Sequence, residues 1–268
     1  MVLTKNEERN LPDCLESLAW VDEIVVVDDE SSDRTVEIAK NAGCKVFVQR
    51  MKSYPEQRML GISYCSHDWI LWLDADERIP PTLRQEIQTR LAADANKYTA
   101  YYILRQEFLL WRKVQHTDWS PRYPWWRSHH LRLFKKDMWR FRMDRTVHEG
   151  LQGQGSVGRL YAPLHHTNAN PDIHTRFAKT FQYARLQAEM EFERGVRVKW
   201  YDFVMRPALG FGKSFFWFRG FLEGTNGWII AWCSLMTEVC VCSYLYEKQQ
   251  GALLEARKHQ IQRLWRVS

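Results

Sequence analysis

The chain has 268 residues, 45% of them hydrophobic, which is enough to bury one core of about 100–200 residues and still carry an appendage. Its 38 Lys and Arg outweigh 32 Asp and Glu by a net charge of +6, which favours anionic partners such as nucleotides, phosphorylated glycolipids or acidic membrane surfaces without choosing among them. No basic stretch followed by an apolar run and a small-residue cleavage site opens the chain, so export is not expected, and Cys14, Cys44, Cys65, Cys233, Cys240 and Cys242, with no C-x-x-C pair or zinc-site spacing, read as reduced core thiols of a cytosolic protein.

Val2-Leu3-Thr4 reads as the last part of a strand that would normally begin earlier. Glu23-Ile-Val-Val-Val-Asp28-Asp29 contains an unbroken apolar run, the mark of a strand buried on both faces of a parallel sheet. Ser31-Ser32-Asp33 supplies an N-cap for a helix over about residues 34–41, and Gly43 ends it. Residues 45–49 form a third strand and residues 55–65 a helix. The run Trp69-Ile-Leu-Trp-Leu is the fourth strand, ending on Asp74-Ala75-Asp76, and Pro80-Pro81-Thr82 starts a helix running to about residue 93. This alternation predicts an α/β fold, a Rossmann-like, mostly parallel sheet with helices on both faces and right-handed crossovers. With strand order 3-2-1-4, Thr4, Asp29 and Asp74 all open onto the crevice at the carboxyl ends of the strands, where open α/β sheets bind ligands.

Residues 98–110 alternate loosely and are rich in β-formers, whereas residues 111–126 are crowded with Trp, Arg and Pro and predict a long irregular loop. Short strands are expected at residues 131–134 and 139–142, and Thr146-Val-His148-Glu149-Gly150 precedes a Gly-rich turn region through Gly158. Ile173, Phe177, Phe181, Ala184 and Ala188 recur at helical spacing over residues 172–194, and Gly195 closes that helix. In the tail, residues 203–222 mix Phe and Trp with Arg206, Lys213 and Arg219, while residues 228–246 are nearly apolar. That stretch is at the short limit of the roughly 20 residues a span needs, and Glu238 falls near its centre, where a charge is costly. An amphipathic attachment in the membrane plane or re-entrant is favoured over a true span or a buried helix pair. The expected organisation is residues 1–97 and 98–170 as two halves of one domain, and 171–268 as a helical region.

Two carboxylates at the carboxyl end of a buried strand can converge on one divalent cation. Hard oxygen ligands suit Mg²⁺ or Mn²⁺, which neutralises a diphosphate and stabilises it as a leaving group. The fingerprint G-x-G-x-x-G is missing after the first strand and no G-x-x-x-x-G-K-[ST] is present, which argues against a nicotinamide enzyme and a P-loop.

Taken together, Leu3-Thr4-Lys5-Asn6-Glu7-Glu8, Ile24-Val-Val-Val-Asp-Asp29 with Ser31, Asp33 and Thr35, Gln57-Arg58, and Trp69-Ile-Leu-Trp-Leu-Asp-Ala-Asp76-Glu77 resemble the inverting family 2 glycosyltransferases of the GT-A fold. Arg132-Leu-Phe134, Val147-His-Glu149, Pro163-Leu-His-His166 and Gly220-Phe-Leu-Glu-Gly224 through Ile230-Ala231 are similar to the branch with the lipopolysaccharide core β-glucosyltransferases, so the resemblance covers residues 1 to about 247. It implies that Thr4, Asn6 and Glu7 line the base and ribose of a UDP-sugar donor, that Asp29 contacts the nucleoside, and that Arg58 sits near the diphosphate. Asp74 would face the ribose or sugar and Asp76 hold the cation, with Asp74 and His166 counted among the metal ligands. His165 and His166 carry a plainer alternative as hydrogen-bonded polar residues.

An inverting transfer needs one general base for the acceptor hydroxyl. The matching motif points to Glu149, with Asp144 in reserve; the alternative for Glu149 is a structural pair with Arg132 or Arg145. The Trp-rich loop would stack on sugar rings or anchor at a membrane interface. The implied activity is transfer of a hexose, glucose first, from a UDP-sugar to a lipid-linked saccharide such as a lipopolysaccharide core, on the cytosolic face of the plasma membrane. The rivals are a membrane-bound sugar-nucleotide or glycan sensor without turnover, and a nucleic-acid binder, which scattered basic residues argue against.

Overall fold

The computed structural model describes residues 1–94, 97–116, 129–141, 151–167 and 173–251, with residues 254, 257, 258, 261 and 262, the side chains of Thr175 and Lys179 excepted. The chain divides into two compact units; among the described residues the first carries the strands and the second the last three α-helices.

In the first unit, β1 (Val2–Thr4), β2 (Val25–Asp28), β3 (Lys45–Val48) and β5 (Leu73–Asp74) form a parallel sheet in the order β3-β2-β1-β5. This is the arrangement that the sequence implies, with β5 as the tip of its fourth strand. Registers of Thr4 with Asp28 and of Leu3 with Asp74 bring the carboxyl ends of the strands to one edge. The crossovers are α1 (Leu11–Ser17), α2 (Thr35–Asn41) and α3 (Tyr54–Tyr64). Ser53 caps α3 by accepting from the Glu56 amide, and Asp33 plays a similar part for α2 by accepting from the Thr35 amide at 3.0 Å. Val2, Val26, Leu73, Leu11, Cys14, Leu83 and Ile87 pack together as one core, the last two from α4 (Pro81–Ala93).

The run Trp69–Asp74 does not stay with one sheet. Its first part, β4 (Trp69–Leu71), pairs antiparallel with β9 (His129–Lys135) in a second, mixed sheet of order β4-β9-β7-β12-β6, where β6 is Glu77–Arg78, β7 Ala100–Leu109 and β12 Val157–His166. The hairpin strand β8 (Arg112–Lys113) pairs with β7, and β10 (Trp139–Phe141) pairs with β11 (Leu151–Gly153). One correction concerns residues 157–166. A turn region was expected through Gly158, but Gly158 lies inside β12, against the ring of Tyr101, where any Cβ would collide. A register shift between Leu160 and Leu164 breaks the period-2 pattern that would have announced the strand.

The second unit packs α5 (Ile173–Glu193) and α6 (Asp202–Gly212) on α7 (Thr225–Gln249), with a π-turn at Lys213–Trp217 and a 3₁₀ turn at Gly220–Glu223. Ala184, Ala188, Val241, Cys242 and Leu245 are its buried seam. Glu238, the charge that made a span costly, is held by Arg206 at 2.9 Å, and the same guanidinium reaches Glu191 at 3.0 Å. By length and composition α7 is long and apolar enough to cross a membrane.

A Cβ on Gly227 would run into the carbonyl oxygen of Gly220, so α7 approaches the 3₁₀ turn as closely as backbone allows. Gly227→Ala is expected to destabilise this unit by about 1–3 kcal/mol, the usual cost of overpacking, read as an earlier loss of helical circular dichroism on heating.

Candidate active site

Two loops leave the parallel edge and are knitted together before any ligand arrives. Asp28, fully buried at the end of β2, accepts from the Thr4 hydroxyl at 2.8 Å and from the amide and hydroxyl of Ser31 at 2.8 and 2.6 Å. Asn6, at φ 55°, donates its amide to the Ser31 hydroxyl and accepts from the Ser32 amide, while the Glu7 amide donates to Thr35 Oγ1. Asp29 accepts from the Met51 amide at 2.7 Å and pairs with Lys5 at 3.6 Å. Thr4, Asn6, Glu7 and Asp29, the expected nucleoside side, therefore gather at the ends of β1 and β2, with the Thr4 hydroxyl already committed to Asp28.

Beside them, the strand carrying D-x-D ends in a buried charge cluster. Arg132, only 2% exposed on β9, donates to Asp74 Oδ2 at 3.1 Å and also to Glu77 Oε1, and its guanidinium lies 3.6 Å over the Trp72 ring. Arg58 on α3 pairs with Asp74 Oδ1 at 3.6 Å and lies 4.1 Å over the same ring. Burial works to raise the Asp74 pKa, but Arg132 and Arg58 hold it below the usual carboxylate range. Glu77, fully buried, is pushed up to about 7 by burial and the neighbouring Asp74 despite Arg132, and it accepts from the Asp74 amide at 2.9 Å. Burial lowers Arg58 to about 10, which leaves it a cation at neutral pH.

The second acid of the motif has a different partner. Asp76 Oδ2 meets His166 Nε2 at 3.2 Å, and His166 Nδ1 donates to Glu107 Oε2 at 2.6 Å. Burial alone would depress the imidazole, yet Glu107 and Asp76 raise its pKa to about 10. Arg105 Nε lies 2.7 Å from the other Glu107 oxygen. Strand register builds this row, since His166 on β12 is the partner of Glu107 on β7 and of Glu77 on β6. Arg78 anchors the loop from below through the carbonyls of Ala75 and Asn10, both at 2.8 Å.

The structure thus brings Asp76 and His166 together and assigns Asp74 to two arginines. Among the described residues no three His, Cys, Asp or Glu side chains gather as a metal cage. One carboxylate and one imidazole nonetheless fit a cation that takes its remaining ligands from substrate phosphates and water, the habit of Mg²⁺ and its close relatives. The imidazole has a carboxylate on its far nitrogen, as metal-bound histidines do. Glu149 and Asp144 lie outside the described residues. Sequence reading missed Glu77, Glu107 and Arg105; the signal was there in Arg105-Gln-Glu107, charges two apart and so on one face of a strand with a buried interior.

A model of the family described as "Glycosyl transferase family 2" matches residues 1–162, more than half of the chain. The chain belongs to glycosyltransferase family 2. It is a glycosyltransferase of GT-A architecture, and the matched region contains Thr4, Asp29, Arg58, Asp74, Asp76, Arg132 and Glu149. A lipopolysaccharide core biosynthesis glycosyltransferase, LpsC of Rhizobium meliloti, is 28% identical over 244 residues, 86% of this chain and 87% of that one. An uncharacterized glycosyltransferase of Rickettsia felis is 30% identical over 239 residues, 85% and 82% of the two chains. Among solved structures, S. aureus TarS 1-349 is similar at 18% identity with a TM-score of 0.46, covering 96% of this chain and 86% of that one.

Removing Arg132 leaves Asp74 and Glu77 without their shared cation. Arg132→Met is expected to cost about 3–5 kcal/mol of stability, the usual result of breaking one side of a buried ion pair, measured as a lowered urea midpoint without ligand.

Proposed function

We propose that this family 2 enzyme transfers a hexose, glucose in the first instance, from a UDP-sugar to a lipid-linked saccharide such as a lipopolysaccharide core, with inversion and with Mg²⁺ or Mn²⁺. The observation that carries the donor side is the Asp76–His166 pair beside the Asp74–Arg132–Arg58 cluster, at the carboxyl edge of the parallel sheet. The similarity to LpsC over nearly the whole length of both chains supports the acceptor class.

In this reading Asp29, braced by the Met51 amide, takes the nucleoside, and Thr4, Asn6 and Glu7 shape the base and ribose side. Asp76 and His166 hold the divalent ion, which when bound offsets the charge of the leaving diphosphate. Arg58 adds a fixed positive charge close by, and Asp74, clamped by two guanidiniums, turns to the ribose or sugar. Glu149, with Asp144 in reserve, takes the proton of the acceptor hydroxyl as its oxygen bonds to the anomeric carbon and the bond to the diphosphate oxygen breaks from the opposite face.

The second unit is assigned to the cytosolic face of a membrane, lying on it. Phe216 and Trp217 are 65% and 74% exposed, Phe221, Leu222, Trp228 and Trp232 are also exposed, and the cations Lys213 and Arg219 flank Phe216 and Trp217 in sequence. Aromatic rings with interleaved cations are the composition of an interfacial anchor, and pairing Glu238 with Arg206 lowers the cost of burying the face around them.

Three measurements test this. In a thermal-shift screen, UDP-glucose with Mn²⁺ is expected to raise the melting temperature more than either alone, and glucosyl transfer is expected to fall at least about a hundredfold in Asp76→Asn, through loss of a cation ligand, and in Glu149→Gln, through loss of the general base. Unchanged turnover in both variants would refute the mechanism. For the membrane, Phe216→Ser/Trp217→Ser/Phe221→Ser is expected to abolish flotation with anionic phospholipid vesicles, leaving the melting temperature within a few degrees.

A further inference from the structure

Glu107 has no part in the mechanism above, yet its half-buried side chain sits against His166 and is faced by a partner at each oxygen. Oε2 accepts from His166 Nδ1 at 2.6 Å and Oε1 faces Arg105 at 2.7 Å. Glu107 and His166 are register partners on parallel neighbours β7 and β12, so backbone pairing, rather than a flexible loop, sets their separation. The neighbouring Gln106 is fixed too, donating to the Val114 carbonyl at 2.7 Å, and Val114 closes the turn by donating its amide to the Glu107 carbonyl at 3.0 Å.

A ring whose Nδ1–H is committed to a carboxylate has only Nε2 to offer a ligand, and in this structure Nε2 points at Asp76. Fixing the far nitrogen sets the tautomer and the ring plane, and it raises the basicity of the near one. Arg105, with Nε 2.7 Å from Glu107 Oε1, sets a positive charge against the other side of the same carboxylate.

We infer that Glu107 is a positioning residue for the cation site: through His166 Nδ1 it aims Nε2 at the position a divalent ion occupies beside Asp76, with Arg105 holding Glu107 in place. With its Nδ1 proton held toward Glu107, the ring would offer the Nε2 lone pair to a cation. The inference rests on the cation site proposed above, and it adds two residues, Glu107 and Arg105, that touch neither substrate nor metal.

The test is Mn²⁺ binding rather than turnover. Free Mn²⁺ is followed by electron paramagnetic resonance as it is titrated into the full chain with UDP, against a UDP-only blank, for wild type, Glu107→Gln, His166→Gln and the double variant. Glu107→Gln keeps shape and hydrogen-bonding capacity but loses the charge, and its Mn²⁺ affinity is expected to fall about 10–100-fold, the usual effect of losing such an outer partner. In the His166→Gln background the same change is expected to do nothing further, because Glu107 acts only through that ring. Equal affinity in wild type and Glu107→Gln overturns the inference, as does an equal loss in both backgrounds, which would mark a general packing role. Absence of Mn²⁺ binding to wild type overturns the cation site itself, and the inference with it. Should Glu107→Gln fail to fold, Glu107→Asp, which keeps the charge one methylene short of the ring, is read in the same way.

Discussion

A guanidinium taken almost wholly out of water must be neutralised where it lies, and in this chain that requirement falls on Arg132. Its partners are Asp74, from the motif that ends the parallel sheet, and Glu77, from the first strand beyond it. Leaving Arg132 or Glu77 unpaired in the interior costs several kcal/mol, which favours the observed course of the turn between β5 and β6. That course carries Asp76 to His166. The loop that is expected to face the donor is therefore shaped by charge balance beneath it, before a nucleotide contributes anything.

Trp72 serves the same cluster from the single-residue link between β4 and β5. Its ring receives both guanidiniums, while its indole N–H donates to the Leu131 carbonyl at 2.9 Å and its amide donates to the Arg132 carbonyl at 3.0 Å. A residue read from sequence as one more apolar position in a buried run is thus the platform on which two cations rest.

Much of this architecture is legible in the sequence. Unbroken Val/Ile/Leu/Trp runs ending in acids point to the parallel sheet, its order and the shared edge, because burial on both faces leaves no other explanation for such runs. Asp76 and His166 stand out as well, although ninety residues separate them. What escapes is the mixed sheet's long β12, because Pro163 and the register shift near it interrupt alternation, and so the row Glu107–His166–Glu77 that β12 aligns is invisible. Glu77 and Arg132 escape for another reason. Neighbouring charges in a sequence read as a solvated turn or a surface strand, and only three-dimensional pairing reveals that they are buried together. In the second unit, Glu238 looks like a flaw in an apolar helix; Arg206, more than thirty positions earlier, is its counterion.

The divided allegiance of residues 69–74 bears on how this enzyme can be taken apart. Three residues hydrogen-bond into one sheet and the next ones into the other, while β6, just beyond, is paired by β12 from the far end of the same unit. A cut near residue 97 would give two pieces, each with an unpaired sheet edge and a severed charge cluster, and neither piece could close its interior. The strands before and after residue 97 therefore form one cooperative block, in which neither portion has a complete sheet of its own.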